Sequence, residues 1–334
     1  MSKDKPTMKD VAKLAGVSQP TVSYVINGSA SISSEVKNRV NEAIKELNYK
    51  PNYYAKALKT NSSEIVGIII PDILNQYYAR LLQLLEEELH TKNYQVIIYS
   101  TAYNGRIEET SVRQLLSYNV HAIIALYQFT NKKCWDLLKA FNKPVVAIEG
   151  GSYCSEIGIP CINVDSHLGG YMATRHLLGM GKKRIAYIHQ NSDIETLQER
   201  CDGYIEAMKA AGLYQPTDIF VTKNPNDKWN EGKILGKKLA LHPYDGIIAS
   251  SDLIAVGIIK ELQRYGKLVP DQVAVIGYDD VPIAELFIPA LTTIAQPLEE
   301  ICAVAMEIIF NSDARFDSPP SPTLQPKLIK RESA

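Results

Sequence analysis

The sequence predicts an α/β protein in two parts: an all-α helix-turn-helix head, and a larger body of two lobes built on parallel sheets. Three observations carry this expectation. The first sixty residues hold three apolar stripes at helical spacing between capping and turn residues. From Ile65 onward, short apolar runs alternate with helical stretches, the pattern of parallel strands covered on both faces. Charge is also divided. The 334-residue chain is nearly neutral at −1, yet residues 1–60 carry ten Lys/Arg against five Asp/Glu, which makes a head of +5 on a body of −6.

In the head, Thr7 is placed to cap a first helix, with Asp10 at its third position and Val11, Leu14 and Ala15 as its inward face. Gly16-Val17 supplies a tight turn. Ser18 caps the second helix, Pro20 falls in its first turn where a missing N–H is tolerated, and Val22, Val25 and Ile26 point inward. Asn27-Gly28 stops that helix. A third runs from about Ser33 to Leu47, with Val36, Val40, Ile44 and Leu47 on one face. Such a layout lays its second helix in the major groove of DNA. The periodicity alone also suits any small helical bundle. The basic charge favours DNA, because phosphate attraction supplies most non-specific affinity and an acidic body discourages misoriented docking.

Tyr53 to Lys59 is a short stretch followed by the polar link Thr60-Asn61-Ser62-Ser63, the expected joint between a head of residues 6–60 and a body of residues 61–334. The apolar runs of the body are Ile65–Ile70, Gln95–Ser100, Ala122–Leu126, Val145–Ile148, Ile185–His189, Ile219–Val221, Gly246–Ala249 and Val273–Tyr278, enough for two α/β lobes. Ligands of such sheets sit beyond the carboxyl ends of the strands. That rule points to Asp72 and Asn75, Gln128, Ser250-Ser251-Asp252 and Asp279-Asp280, with Arg200 near the start of a helix able to join them.

Composition narrows the function classes. At 46% apolar and 22% charged, the chain is globular rather than disordered. Cys134, Cys154, Cys161, Cys201 and Cys302 are scattered and form no C-x-x-C pair, so reduced structural thiols are expected. The first residues lack an apolar secretory stretch, and the longest apolar runs are too short for a bilayer, so a cytoplasmic protein with no membrane partner is expected. There is no H-E-x-x-H, G-x-S-x-G or G-x-x-x-x-G-K-[ST], and the histidines show no metal-ligand spacing. The expectation is therefore no enzyme, no cofactor and no metal. Asp279-Asp280 resembles a paired-carboxylate site, but acceptors such as Asp72, Asp165 and Asp279 with the donors of Arg200 also suit a hydroxyl-rich ligand that undergoes no reaction.

Several motifs stand in order along the chain: Asp10-Val-Ala-x-x-Ala-Gly-Val-Ser18-x-x-Thr-Val-Ser23, Leu47-Asn-Tyr-x-Pro-Asn52 with Ala55 and Leu58, Gly67-Ile-Ile-Ile-Pro71, Val164-Asp165 with Gly169-Gly170, Arg200-x-x-Gly-Tyr204, Ile276-Gly-Tyr-Asp-Asp280 and Leu291-Thr-Thr-Ile-x-Gln296. With them the chain resembles, over essentially its full length, the lactose-repressor/galactose-repressor (LacI/GalR) family of bacterial transcription regulators, the first motif resembling its helix-turn-helix signature and the second its hinge. The resemblance implies a homodimer, in some members a tetramer, whose paired heads read a palindromic double-stranded DNA operator. It also implies a periplasmic-binding-protein-like body with a small-molecule effector, a sugar or sugar phosphate, in the interlobe cleft. The first lobe would hold about 62–162 plus 295–322, and the second about 163–292 plus the C-terminal strand.

By that resemblance Ser18, Gln19, Pro20, Thr21, Ser23, Tyr24 and Asn27 meet bases or phosphates. In a hinge helix of about 52–59, Asn52, Lys56 and Leu58 serve the minor groove, with Leu58 as an intercalating wedge. The expected effector set is Asp72, Tyr77, Tyr78, Asp165, Arg200, Ser251 and Asp279. Three residues depart from the family pattern: Tyr24 where Arg is common, Gln76 where proline is common, and Ser251 where Asn is common. The rival readings are a solute-binding protein with similar lobes but no regulatory DNA binding, and a sugar- or nucleotide-processing enzyme.

Overall fold

A computed structural model describes residues 6–27, 32–49, 63–224, 226–310 and 321–334. The chain divides into two compact units, Met1–Ser63 and Glu64–Ala334. In the first, helix α1 (Met8–Ala15) opens on a reciprocal capping box: Thr7 N–H donates to Asp10 Oδ2 at 2.8 Å while Asp10 N–H donates to Thr7 Oγ1 at 3.4 Å. Gly16 ends it at φ +63°, a left-handed cap that a Cβ would strain. Helix α2 (Gln19–Asn27) starts where Ser18 Oγ accepts from Thr21 N–H at 3.3 Å, and α3 (Ser34–Glu46) is capped by Ser33. Val11, Ala12, Ala15, Val22, Val40, Ala43 and Tyr49 form the core of this unit. Leu14 does not join them, being 46% exposed. At 3.6 residues per turn the inward arc runs through Val11, Ala15 and Ala12, and Leu14 falls on the far side of Val11.

The second unit carries two six-stranded sheets. The chain first lays down β1 (Ile65–Ile70), α4 (Gln76–Thr91), β2 (Gln95–Ser100), α5 (Gly105–Ser117), β3 (Ala122–Ala125), α6 (Lys133–Lys139), β4 (Val145–Ile148), α7 (Ser152–Glu156) and β5 (Cys161–Val164). It then crosses to α8 (Ser166–Gly179), β6 (Ile185–His189), α9 (Glu195–Ala210), β7 (Ile219–Val221), α10 (Lys228–Ala240), β8 (Gly246–Ala249), α11 (Asp252–Arg264), β9 (Ala274–Asp279), α12 (Pro282–Leu286) and β10 (Thr292–Ala295). A return puts α13 (Leu298–Phe310) and β11 (Thr323–Leu324) on the first lobe, and a last crossing adds β12 (Lys327–Ile329) to the second.

The strand orders are β11-β5-β4-β3-β1-β2 and β12-β10-β9-β8-β6-β7, every pairing parallel except β10 with β12. Fully buried runs such as Val66–Ile70 and Ala122–Ala125 explain the continuous apolar signal: these strands are covered on both faces. In each sheet the strand order reverses, beside β1 in the first and beside β6 in the second, and there the loops at the carboxyl ends splay apart to leave a crevice.

Within the second lobe, α8 and α9 approach each other through glycine. A Cβ on Gly170 would collide with the Arg200 carbonyl, and one on Gly203 with the His167 carbonyl. This backbone-to-backbone contact fixes the part of α9 that carries Arg200. Among the described residues, no helix is long and apolar enough to cross a membrane, and no group of three or more His, Cys, Asp or Glu could hold a metal ion.

Candidate ligand cleft and nucleic-acid interface

On α2, Gln19, Pro20 and Tyr24 are exposed, Tyr24 by 48%, while Thr21 and Ser23 are half-buried. Ser18 Oγ is engaged at the helix start, accepting from the Thr21 amide and lying 2.9 Å from Thr21 Oγ1. The backbone of Asn27 ends α2. Its side chain, and all of Asn52, Lys56 and Leu58, lie outside the described residues. An Arg can bridge guanine O6 and N7, as Tyr cannot. Tyr24→Arg should therefore shift base preference toward guanine in a half-site selection experiment, and an unchanged preference would remove Tyr24 from base reading.

In the body, a polar cleft partly open to solvent lies between the two lobes. The first lobe contributes Asn75, Tyr77, Tyr78, Tyr103 and Glu149, and the second Gln190, Ile194, Thr196, Leu197, Arg200, Lys228, Ser250, Asp279 and Gln296. Nearly all follow a strand's carboxyl end or open the next helix. Asn75 caps α4, its Oδ1 accepting from Tyr77 N–H at 3.1 Å, and so turns Tyr77 and Tyr78 inward as an edge-to-face pair with centroids 5.0 Å apart.

Arg200 and Asp279 form the charged centre. The Arg200 Nη1 lies 3.7 Å from Asp279 Oδ1 and donates to the Ser250 carbonyl at 3.1 Å, while the guanidinium sits over the Tyr278 ring at 3.7 Å. Gln296 Nε2 donates to Asp279 Oδ1 at 2.9 Å. Burial raises the pKa of Asp279, an effect that Arg200 and Lys228 oppose. Asp280 faces elsewhere, 2.8 Å from Arg331, so the adjacent carboxylates are not aimed at one reacting group. Asp279 itself holds φ +106° and Glu149 φ +52°, left-handed conformations unusual for residues with a Cβ and common where a site dictates backbone shape.

Burial lifts the Glu149 carboxyl to about 7 from an ordinary 4.5; Arg200 opposes the shift and Asp279 adds to it. A carboxyl whose folded pKa is raised costs stability as it ionises, so this group's stability contribution is present below about 4.5 and lost as pH rises through about 7. Glu149→Gln should cancel that loss and gain about 3 kcal/mol relative to wild type at pH 8. Urea denaturation across pH 4.5 to 8 checks this, and identical pH profiles for both proteins would contradict it.

Tyr77, Tyr78, Arg200 and Asp279 of the expected effector set line the cleft, and Asp72, Asp165 and Ser251 do not. Local backbone claims two of the latter: Asp72 Oδ1 accepts from Leu74 N–H at 2.9 Å, and Asp165 Oδ1 caps α8 by accepting from Leu168 N–H at 2.8 Å. Ser251 is buried at the start of α11. The expectations left out Glu149, Tyr103, Gln190 and Lys228. The strand-end rule reaches Glu149 after Val145–Ile148 and Gln190 after Ile185–His189, had it been applied to every run. The lobes are also clasped at the cleft rim: the Ser152 amide and hydroxyl donate to Glu195 at 2.7 and 2.8 Å, and the Glu195 amide donates to Gln128 Oε1 at 2.9 Å.

A helical head that presents an exposed helix, carried in one chain with a two-lobed body that encloses a polar cleft, defines a ligand-sensing DNA-binding protein. Comparison with known proteins agrees. Residues 7–52 match the family described as bacterial regulatory proteins, lacI family, and residues 174–334 match the periplasmic binding protein-like domain. The ribose operon repressor of Escherichia coli (strain K12) is 32% identical, with 98% of this chain and 99% of that protein covered. The transcriptional repressor PurR of Mannheimia succiniciproducens is 30% identical, with 98% of each covered. Among solved structures, a complex of the transcriptional regulator CelR with cellobiose aligns at TM-score 0.72 and 28% identity, covering 98% of this chain and 100% of that one. A lac repressor dimer bound to operator and an anti-inducer shares the fold at TM-score 0.85 and 21% identity, with 99% of each chain covered. The chain belongs to the lacI family of bacterial regulatory proteins.

Proposed function

We propose that this protein is a homodimeric repressor of genes for carbohydrate or nucleoside uptake or catabolism, and that a sugar or sugar phosphate in the interlobe cleft sets its affinity for a palindromic operator. The observation that carries this reading is the convergence in one cleft of buried polar groups without hydrogen-bond partners, namely Tyr77 Oη, Glu149 Oε1, Arg200 Nε, Ser250 Oγ and Gln296 Oε1. Buried polar atoms left unpaired are costly, and a hydroxyl-rich ligand offers partners to both donors and acceptors. The relatives named for ribose and sucrose operons and the cellobiose-bound neighbour are consistent with a carbohydrate.

Ser18, Gln19, Pro20, Thr21, Ser23, Tyr24 and Asn27 are proposed to contact the operator, with Asn52, Lys56 and Leu58 serving it from the hinge. Tyr77, Tyr78, Arg200 and Asp279, now with Glu149, Gln190 and Lys228, are proposed to contact the effector. Occupancy changes operator affinity only if the ligand prefers one lobe arrangement, and the Ser152–Glu195 clasp is a contact that such a preference would make or break. The reading is of binding without turnover, since Asp279 is engaged by Arg200 and Gln296 while Asp280 faces Arg331. A protein that works on chromosomal operators works in the cytoplasm. A mobility-shift assay on genomic fragments, run across salt concentrations with candidate sugars and nucleosides, tests the proposal. A sequence-selective shift that one ligand alters is the expected result, and binding that falls with salt but shows no sequence preference would overturn it.

A further inference from the structure

The two cations of the cleft are not equally paired. Arg200 and Lys228 line it together with the carboxyl groups of Glu149 and Asp279, but only Arg200 has a carboxylate within ion-pair distance, Asp279 at 3.7 Å, and that carboxylate already accepts from Gln296. Lys228 is half-buried and lines the cleft, and among the described residues it has no hydrogen bond and no ion pair. Burial lowers its pKa, which Asp279, Asp72 and Asp252 only partly offset. An ammonium in the cleft with no acceptor in hydrogen-bond reach is costly, and a ligand anion is the group that answers it.

Its place on the backbone is equally unusual. Lys228 is the first residue of the thirteen-residue helix α10, after the cap Asp227. A helix N-terminus disfavours a lysine and favours an anion, so the dipole and the ammonium add where they should oppose. Arg200 brings a second, independent observation: it is 5% exposed, and its Nε has no partner. The neighbouring Glu149 shares this setting. An anion arriving beside it favours its protonated form, which leaves Asp279 as the carboxylate of the cleft and gives a donor for a ligand hydroxyl.

We propose that the effector is a polyhydroxylated anion, whose phosphate or carboxylate is held by Lys228 together with Arg200 while its hydroxyls meet Tyr77, Ser250 and Asp279. This rests on the cleft being the effector site and adds the charge of the ligand. Lys228 is then the residue that selects acidic over neutral sugars.

Isothermal titration and thermal melting of the full-length protein test this with matched probes: ribose against ribose 5-phosphate, glucose against gluconate and glucose 6-phosphate, and inorganic phosphate as the minimal anion. At least one anionic sugar should bind about tenfold or more tightly than its neutral partner. Lys228→Gln should erase that preference, and Lys228→Arg should keep it. The phosphate and carboxylate arms identify which anion is used. Equal or tighter binding of the neutral partners overturns the proposal, as does a preference that survives in Lys228→Gln, or a melting temperature unmoved by every anion at about 10 mM. A neutral sugar that binds and releases or tightens operator, in a manner lost with Arg200, would leave the cleft reading standing while removing the anion. Binding indifferent to Arg200 and Asp279 would remove both.

Discussion

Replacing Arg200 with alanine will disconnect the protein's operator binding from its effector. The guanidinium faces Asp279, donates to the Ser250 carbonyl and lies on the Tyr278 ring, so truncation strips a ligand donor and leaves a buried carboxylate without its ion-pair partner. Losing one member of a buried charge pair costs about 3–5 kcal/mol, and where the pair also holds ligand the loss appears as weaker ligand binding by about 10²-fold or more. In a mobility-shift titration, the variant's operator affinity should stay flat as effector rises, while the DNA-binding head retains sequence selectivity. A second effect follows from burial. Without Arg200 the pKa of Asp279 rises further, so the variant should lose stability on alkalinisation more steeply than wild type. An undiminished effector response in Arg200→Ala would place the effector elsewhere.

The second large effect is expected far from any ligand atom. Gly203→Val puts a branched side chain where α9 touches α8; the added Cβ meets the His167 carbonyl and comes within 2.7 Å of the Tyr171 amide. Both obstacles are backbone, so the helices must separate. Overpacking against backbone costs about 3 kcal/mol, a fall of roughly 6–12 °C in a body of this size. Because Arg200 is one turn away on α9, effector binding should weaken with stability. Thermal and urea denaturation check this, and a melting temperature within a degree or two of wild type would mean that the helices have room to spare.

Much of the architecture was legible because the strands are buried on both faces, which writes them as uninterrupted apolar runs. Boundaries shifted by a residue: Val273–Tyr278 is observed as Ala274–Asp279, and Ala122–Leu126 ends at Ala125. The strands that had no apolar run of their own were Cys161–Val164, Thr292–Ala295, Thr323–Leu324 and Lys327–Ile329. They are short, and most owe their place to partners distant in sequence, as Thr323–Leu324 does in pairing with Asn163–Val164. In the cleft, Asp279 could be read because it follows the carboxyl end of a strand, and Arg200 because the motif Arg200-x-x-Gly-Tyr204 carries it. Lys228 could not, since a lysine before Trp229 looks like any solvated helix start until the fold encloses it. Asp72 and Asp165 show the converse: a carboxylate at a strand end suits a ligand and a local backbone turn alike, and in the fold each accepts from a backbone amide.

The crossings between lobes bear on how the protein is made. The first sheet waits for Thr323–Leu324 and for helix α13 over its face; the second waits for Lys327–Ile329. By contrast, every residue of the helical head's core lies between Val11 and Tyr49. Contacts local in sequence form fast, and segments that leave the ribosome first fold first. The helical head can therefore be complete while the body is still a partial sheet on an elongating chain. During each round of synthesis the protein has a brief early life as a finished head beside an unfinished body.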